Sequence, residues 1–288
     1  MHCLKNAEAI QAVSLLDRAF HYGDGCFTTA RIRHGQIELQ KWHMARLQDS
    51  CQRLLLQANL DLIEHSLHTL QITHGELNGT LKIIISRGEG QRGYSLPEHA
   101  ADVWVMYHPQ ALSDHHYDVL QCGVATQRIG LTMPQLVGIK SLNRLEQIML
   151  KHEIDQHGWS EALVADMQHH IVEGVSSNCF IRMNDQWLSP ELGYNGVHGV
   201  MRAEILQRMQ AKGIDCQIRS IQLNELDQIQ SLFFCNALHP MRIVNQLAEQ
   251  HLQIDPCIEL FHLLQLHQIH CDLWQKQKRK KGAKRHLH

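Results

Sequence analysis

Apolar residues in the first hundred positions follow both alternating and helical spacings, which predict strands mixed with helices. A hairpin is expected from strands over 26–33 and 36–40, joined by a turn at His34-Gly35. Apolar residues then recur every three or four positions around 47–55 and again around 62–70, which predicts two amphipathic helices. Further strands are expected near 9–14, over 81–86 and over 102–107.

The same mixture continues beyond a polar stretch between Pro109 and His116, which is the predicted linker between two domains. We therefore predict an α+β fold (mixed α/β) with a small N-terminal α/β domain at 1–112. A larger C-terminal domain of mixed strands with flanking helices is expected at 113–275. In this larger domain, helices are expected over 142–156, 199–211 and 256–275, and strands over 119–127, 161–166, 178–183, 216–220 and 232–236.

Composition restricts the class of protein. The chain has 288 residues and nine cysteines without any Cys-x-x-Cys spacing, so free thiols in a reducing cytoplasm are expected. The sequence has no signal-peptide core and no apolar run of about 20 residues, which predicts a cytoplasmic protein without a membrane-spanning helix. The 23 histidines are dispersed, and no metal site is expected because zinc needs three or four converging ligands.

Residues 276–288 are strongly basic, although the whole chain has a net charge of −2. A segment so rich in lysine and arginine and so poor in apolar residues is predicted to be disordered. A solubilising extension is the favoured interpretation of this tail. Contact with nucleic acid or with an acidic partner is the alternative.

A glycine-rich segment from Gly88 to Gly93 matches the dinucleotide-binding pattern G-x-G-x-x-G and follows a predicted strand. That pattern binds a pyrophosphate where it begins a helix, and Pro97 argues against a helix in this register. We interpret the segment as a loop whose guanidinium groups, Arg87 and Arg92, can bind a carboxylate through paired hydrogen bonds.

Four other segments contain residue types that suit a phosphate-bearing cofactor, although two of them have an ordinary explanation when taken alone. Lys140 precedes a predicted amphipathic helix, where an exposed lysine would be unexceptional. Glu173 lies on a turn before a strand, where a solvated glutamate is common, and Arg46 follows the predicted hairpin. Gly199 begins another predicted helix, and the first N–H groups of a helix can bind a phosphate.

In their order along the chain, these segments and the glycine-rich stretch at 17–27 resemble the fold type IV family of pyridoxal-phosphate (PLP) enzymes. That family includes branched-chain aminotransferases, D-amino acid aminotransferases and aminodeoxychorismate lyases, and the resemblance extends from about 17 to about 242. It implies that Lys140 is the Schiff-base lysine and that Glu173 contacts the pyridine nitrogen of PLP. It also implies that the phosphate is bound by Arg46, by the backbone N–H groups of Val200 and Met201, and by the side chain of Asn236.

Within this family, four segments are most similar to the aminodeoxychorismate lyases, namely 20–31, 85–94, 138–147 and 235–237. This resemblance implies a PLP-dependent lyase that converts 4-amino-4-deoxychorismate into 4-aminobenzoate and pyruvate, and it implies a homodimer. A D-amino acid or branched-chain aminotransferase with the same cofactor residues is the alternative, because a fold does not fix the reaction.

The resemblance also suggests residues that contact the substrate. Thr29 either relays a proton to the departing pyruvate or is an ordinary β-branched strand residue with a satisfied hydroxyl. Alternation places Phe27, Thr29 and Arg31 on one face of the strand, so the three should line the pocket together or not at all. The candidates for contact with the dianionic substrate are Arg31, Arg87, Arg92, Tyr94 and Asn143, whereas a role for Arg242 is left open.

Overall fold

The structure is a computed structural model that describes residues 1–269. Its first half contains short strands at the N-terminus, a long hairpin strand, two helices of 14 residues and two further long strands. In chain order these elements are β1 (His2–Lys5), β2 (Glu8–Ala9), α1 (Arg18–Tyr22), β3 (Gly25–Arg33), β4 (Gln36–Ile37), α2 (Gln40–Arg53), α3 (Asp61–His74), β5 (Gly79–Ser86) and β6 (Asp102–Pro109).

Strands β1 to β6 form one antiparallel sheet in the order β2-β1-β6-β5-β3-β4. Burial alternates along β3, where Cys26, Thr28, Ala30 and Ile32 are buried and the side chains between them are half-buried. The buried face packs against α2 and α3 in one hydrophobic core. The other face, which carries Phe27, is half-buried and is available to line a cavity.

The second half of the described chain contains nine strands and three α-helices. It also contains short 3-10 helices at Pro134–Leu136 and Leu223–Gln228. In chain order its main elements are β7 (Tyr117–Cys122), α4 (Leu145–Gln156), β8 (Leu163–Ala165), β9 (Ile171–Gly174), β10 (Asn178–Met183), β11 (Gln186–Pro190), α5 (Val200–Ala211), β12 (Cys216–Arg219), β13 (Ser231–Cys235), β14 (Met241–Leu247), β15 (Gln250–His251) and α6 (Asp255–Leu263).

Most of these strands form a second sheet in the order β12-β11-β10-β13-β14-β15, with β7 parallel to β14, whereas β8 and β9 pair separately. Helices α5 and α6 pack on one face of this sheet, and side chains of β8 and β9 pack on the other. Every residue of β13 is therefore buried, which explains the apolar run at 232–235. No helix within residues 1–269 is long and apolar enough to cross a membrane.

Residues 110–116, which connect the two sheets, contain no helix or strand and are held to the first sheet by buried charges. His115 Nε2 lies 2.8 Å from Glu38 Oε2, and Arg33 Nε donates to Glu38 Oε1 at 3.0 Å. We call these three residues the Glu38 cluster. The domain boundary predicted at residue 112 falls within this segment and stays a prediction.

The mixed α/β class is confirmed, and regular apolar spacing predicted many elements well. Helices α2, α3, α4 and α5 and strands β3, β5, β6, β10, β12 and β13 lie where they were expected, with ends shifted by a few residues. The strand expected over 119–127 is shorter and ends at Cys122.

Two predictions at the ends of the chain were wrong. No strand covers 9–14, because the first sheet uses β1 instead, close to the N-terminus. The helix expected over 256–275 ends at Leu263, and Gln265 beyond it has a φ of 52°, a left-handed conformation that does not continue a helix. Residues 270–275 of that prediction and the basic tail at 276–288 lie outside the described residues.

Strands β9, β11 and β14 were not predicted. Strand β11 follows β10 through Asn184 and Asp185, whose φ values of 48° and 62° suit the two-residue turn of a hairpin. An Asn-Asp pair is a weaker turn signal than Asn-Gly, and the polar residues of β14 hide its alternation. Pairing with neighbouring strands, more than local pattern, therefore defines these elements.

Candidate active site

Lys140 lies on an extended loop that the first sheet holds in place. Its carbonyl accepts the N–H of Phe27 at 2.9 Å, and the N–H of Leu142 donates to the carbonyl of Gly25 at 3.1 Å. The Nζ of Lys140 lies 5.0 Å from the centroid of the Phe27 ring. The loop therefore brings the amine to the half-buried face of the sheet.

The surroundings of Lys140 shift its amine toward the neutral form. Burial, together with the positive charges of Arg46 and Arg144, lowers the pKa of Lys140 to about 8. A neutral amine can attack a carbonyl or accept a proton, whereas an ammonium group cannot. Lys140 is therefore available as a nucleophile and a base near neutral pH.

Glu173, at the end of β9, is the buried carboxyl group nearest to this chemistry. Burial raises its pKa to about 7, although the N–H of Val197 and the positive charges of Lys140 and Arg144 oppose that rise. Its Oε2 accepts the N–H of Val197 at 3.0 Å and the Nδ2 of Asn178 at 3.2 Å. These bonds fix one oxygen and leave Oε1 for a group bound in the cavity.

Arg46, on α2, supplies a cation that no carboxylate neutralises within residues 1–269. Its Nη2 donates to the Thr28 hydroxyl, which also contacts His43 Nδ1 at 2.6 Å. Its Nε is buried and has no hydrogen-bond partner among the described residues. A buried donor without an acceptor is costly, so this guanidinium group indicates a site for an anion.

The start of α5 provides a second group that attracts anions. The first N–H groups of a 12-residue helix, here those of Val200 and Met201, have no partner within the helix and carry its positive end charge. Gly199, the residue before the helix, is required because a Cβ there would lie 1.8 Å from Asn178 Oδ1. The glycine therefore lets α5 approach β10 closely.

Lys140, Glu173, Arg46 and the start of α5 line one cavity of about 250 Å³, which adjoins a wider cavity of about 980 Å³. They match the three polar ends of PLP. The aldehyde suits Lys140, the pyridine nitrogen suits Glu173, and the phosphate suits Arg46 with the helix start. The unpartnered Nε of Arg46 is the observation that most directly calls for the phosphate, and the residues present fit this cofactor.

The structure brings most of the predicted cofactor and catalytic residues together. Met201 is buried next to Val200 in the first turn of α5. The predicted residues that line the smaller cavity are Thr29, Arg46, Lys140, Glu173, Val200 and Asn236.

Asn236 lies at the cavity, but its side-chain amide is already engaged by the chain. Its Nδ2 donates to Ser177 Oγ at 3.2 Å, and its Oδ1 accepts the N–H groups of Leu238 and His239, each at 3.0 Å. Asn236 therefore shapes the turn at 236–239, and its expected contact with the phosphate stays a prediction.

Alternation along β3 was only partly informative about the cavity. Phe27 and Thr29 line it, whereas Arg31 is not among its lining residues. The Nη2 of Arg31 instead donates to the carbonyl of Leu238 at 2.8 Å, and its Nη1 donates to Ser113 Oγ at 3.1 Å. The expectation that all three residues line the pocket or none does was therefore wrong.

The other predicted substrate residues lie away from the smaller cavity. Arg87 is buried, and it donates to Asp24 and to the carbonyls of Leu54 and Leu55, so its guanidinium group stabilises the fold. Arg92 is exposed. Tyr94 and Asn143 are exposed as well, and both line the wider cavity.

Three residues in or beside the site were not assigned a role from sequence. Arg144 donates from Nε to the carbonyl of Ser141 at 2.8 Å and so braces the loop that carries Lys140. Glu161, fully buried, accepts the N–H of Val175 at 2.6 Å and holds a loop that lines the cavity. Lys82, on β5, lies close to Phe27. Only one sequence signal could have identified Glu161 and Lys82 as candidates, namely a charged residue within or next to an apolar run.

Comparison with known proteins agrees with this geometry. A family model described as Amino-transferase class IV matches residues 25–247. Aminodeoxychorismate lyase of Vibrio harveyi is 32% identical over 247 residues, which cover 84% of this chain and 90% of the relative. The crystal structure of 4-amino-4-deoxychorismate lyase from Pseudomonas aeruginosa has a TM-score of 0.80 at 30% identity, and the match covers 91% of this chain and 97% of that one.

A third match concerns the fold alone. The PLP-bound form of a hypothetical aminotransferase from Mycobacterium tuberculosis has a TM-score of 0.77 over 93% of this chain and 98% of that one. At 21% identity it shows the fold alone. Fold and site together define a fold type IV protein of the PLP-dependent class. The chain belongs to the class IV aminotransferase family, which contains lyases as well as aminotransferases.

Proposed function

We propose that this chain binds PLP through Lys140 and converts 4-amino-4-deoxychorismate into 4-aminobenzoate and pyruvate. The observation that carries the proposal is the amine of Lys140, with its pKa lowered to about 8, in one cavity with Glu173 and the unneutralised Arg46. The choice of a lyase within the family is supported by the two lyases described above, at 32% and 30% identity.

The cofactor is held at its two ends by groups of opposite charge. Arg46 and the N–H groups of Val200 and Met201 would bind the phosphate, because a guanidinium group and a helix start both favour an anion. Glu173 would accept a hydrogen bond from the protonated pyridine nitrogen. PLP supplies an electron-accepting ring conjugated to the substrate nitrogen.

Lys140 and Thr29 transfer the protons of the reaction. The neutral Nζ of Lys140 accepts the proton from the ring carbon that bears the substrate amine. The bond between the ring and the enolpyruvyl oxygen then breaks, and aromatisation of the ring drives the step. Thr29, which lines the same cavity, passes a proton to the departing enolpyruvate. The carbon atom loses one proton and pyruvate gains one, so no second substrate is consumed.

Incubation of the purified, PLP-loaded protein with 4-amino-4-deoxychorismate tests the proposal directly. We expect 4-aminobenzoate and pyruvate in equal amounts, measured by chromatography and by a coupled dehydrogenase assay. The alternative in the family is an aminotransferase, so D-alanine or leucine with an α-keto acid is assayed in parallel. Rapid amino-group transfer without 4-aminobenzoate would replace the lyase with that alternative.

We further propose a homodimer in the cytoplasm. Several large apolar side chains at the wider cavity are exposed, including Tyr94, Leu96 and Met133, and a partner that covers them would remove apolar surface from water. The free cysteines among residues 1–269 suit a reducing compartment. Light scattering coupled to size-exclusion chromatography is expected to give twice the chain mass, and a monomer at micromolar concentration would contradict the dimer.

A further inference from the structure

Lys82 lies beside the proposed catalytic residues, and the proposed reaction gives it no role. It lies on β5, directly opposite Thr29 on β3, and residues opposite each other in an antiparallel pair share a face of the sheet. That face is the one that carries Phe27, and the Nζ of Lys82 lies 4.9 Å from the centroid of the Phe27 ring. The side chain is half-buried.

No carboxylate oxygen within residues 1–269 lies close enough to Lys82 to form an ion pair. Lys5, another lysine of the same sheet, shows the usual arrangement, because its Nζ lies 2.9 Å from Asp102 and 5.6 Å from the Trp104 ring. A half-buried ammonium group without a counterion is unfavourable unless a bound anion supplies one. Lys82 therefore has the properties of a binding group.

The distance to Lys140 limits the span of a ligand that contacts both lysines. The two Nζ atoms lie 4.9 and 5.0 Å from the same ring centroid, so they are separated by at most about 10 Å. In a six-membered ring with an amine and a carboxylate at opposite ends, nitrogen and carboxylate oxygen lie roughly 7 Å apart by standard bond lengths. A hydrogen bond adds about 3 Å, so the span of such a molecule matches the upper limit of the separation between the two Nζ atoms.

We propose that Lys82 binds the substrate carboxylate that lies across the ring from the amine, and thereby selects ring substrates over α-amino acids. An α-amino acid has its carboxylate on the carbon that bears the amine, so it offers no carboxylate across a ring from that amine. The inference rests on the proposed function, because it takes the substrate from it. It adds a physical reason for a lyase specificity on a fold that also supports aminotransferases.

Paired ligands that differ in one charge test this assignment. The PLP-loaded protein is titrated by calorimetry with 4-aminobenzoate and with the neutral 4-aminobenzamide. We expect the wild type to bind the carboxylate at least about ten-fold more tightly, as a hydrogen bond between charged groups implies. Lys82→Met and Lys82→Gln should lose that preference, and Lys82→Arg should retain most of it. Lys5→Met is the matched control and should bind both ligands as the wild type does.

The outcomes separate this inference from the function on which it rests. If the wild type forms 4-aminobenzoate but Lys82→Met and Lys82→Gln keep the full preference for the carboxylate, the role of Lys82 is overturned and the lyase stands. If the wild type forms no 4-aminobenzoate, the lyase itself fails. Thermal unfolding and PLP affinity of each variant show whether the chain still folds and binds its cofactor, and both should match the wild type.

Discussion

Two groups of buried charges, the Glu38 cluster and the cavity, are arranged in opposite ways. In the Glu38 cluster, Glu38 is 1% exposed and lies within hydrogen-bond distance of both Arg33 and His115. Burial alone would raise the pKa of Glu38, but the hydrogen bonds and charges of His115 and Arg33 more than offset this and lower it. Each charge in the cluster therefore has a partner supplied by the chain.

The cavity has a surplus of positive charge instead. Arg46, Lys140 and Arg144 line it, Lys82 lies beside it opposite Thr29, and none of the four forms an ion pair with a carboxylate among residues 1–269. Glu173 is the acidic group among them, and burial raises its pKa to about 7. Paired charges stabilise the fold, whereas unpaired charges in a cavity mark the place where anionic ligands bind.

Replacement of Lys140 is expected to have the largest effect. Lys140→Ala removes both the attachment point of PLP and the base, so turnover of 4-amino-4-deoxychorismate should fall by at least about 1,000-fold. Product formation gives the rate, and borohydride reduction followed by peptide mass spectrometry locates the attached cofactor. Lys151→Ala, on the exposed side of α4, serves as control. Cofactor still fixed covalently to the Lys140→Ala protein would show that another residue carries it.

Loss of the carboxylate from the Glu38 cluster should affect stability and leave the cavity intact. Glu38→Gln removes the buried carboxylate that Arg33 and His115 both contact and should lower the free energy of unfolding by about 2–4 kcal/mol near pH 7. Because folding lowers the pKa of Glu38, its contribution is present above about pH 4.5 and is lost as the pH falls below that value. Urea unfolding at several pH values measures both effects. A marked change in the PLP affinity of Glu38→Gln would show that the Glu38 cluster also serves cofactor binding, contrary to the difference drawn between the two regions.

Replacement of Arg46 should weaken cofactor binding and leave the stability of the fold unchanged, the opposite of the result expected for Glu38. Arg46→Gln is expected to raise the dissociation constant for PLP by about 10–100-fold, because a charged hydrogen bond to the phosphate is lost. The cofactor-free variant should be no less stable than the cofactor-free wild type, since no carboxylate loses its partner. Fluorescence titration and thermal unfolding provide the two measurements. A destabilised cofactor-free variant would indicate that Arg46 holds the fold rather than a ligand.

Thr28 and Thr29 offer a smaller test, on opposite faces of one strand. Thr29→Val should lower turnover about ten-fold without changing PLP affinity, because its hydroxyl serves the reaction. Thr28→Val removes the hydroxyl that contacts Arg46 and His43, so it should weaken PLP binding instead. Steady-state rates at saturating PLP separate the two effects. Equal effects of both substitutions would argue against the assigned faces.

The smallest expected effect concerns the pH at which Lys140 becomes reactive, which depends on the surplus positive charge around it. In the cofactor-free protein, reaction of Lys140 with an amine-selective reagent should rise through a midpoint at about pH 8, since the neutral amine is the reactive form. Arg144→Met removes a neighbouring positive charge and should move the midpoint upward. Mass spectrometry of the labelled peptide follows the reaction. A midpoint near that of an ordinary exposed lysine would contradict the described environment.

Sequence predicted the parts of the site that depend on short, distinctive segments. Lys140, Glu173, Arg46 and Val200 were expected together, and the structure gathers them at one cavity. Arg87 was misjudged, because a sequence pattern cannot show that Asp24 and two carbonyl groups engage the whole guanidinium group. The roles expected for the cavity residues remain to be tested by the variants above.

The sequence by itself determined the regular helices, the long strands of the first sheet and the residues that match the family. These features are local, because spacing along 5 to 15 residues fixes which face of a helix or strand is apolar. The tertiary structure decided which charges are paired. The register of β5 with β3 places Lys82 opposite Thr29, and Glu38 meets His115 across 77 positions of the chain. Such contacts depend on strand pairing and loop closure between distant segments, which no local pattern records.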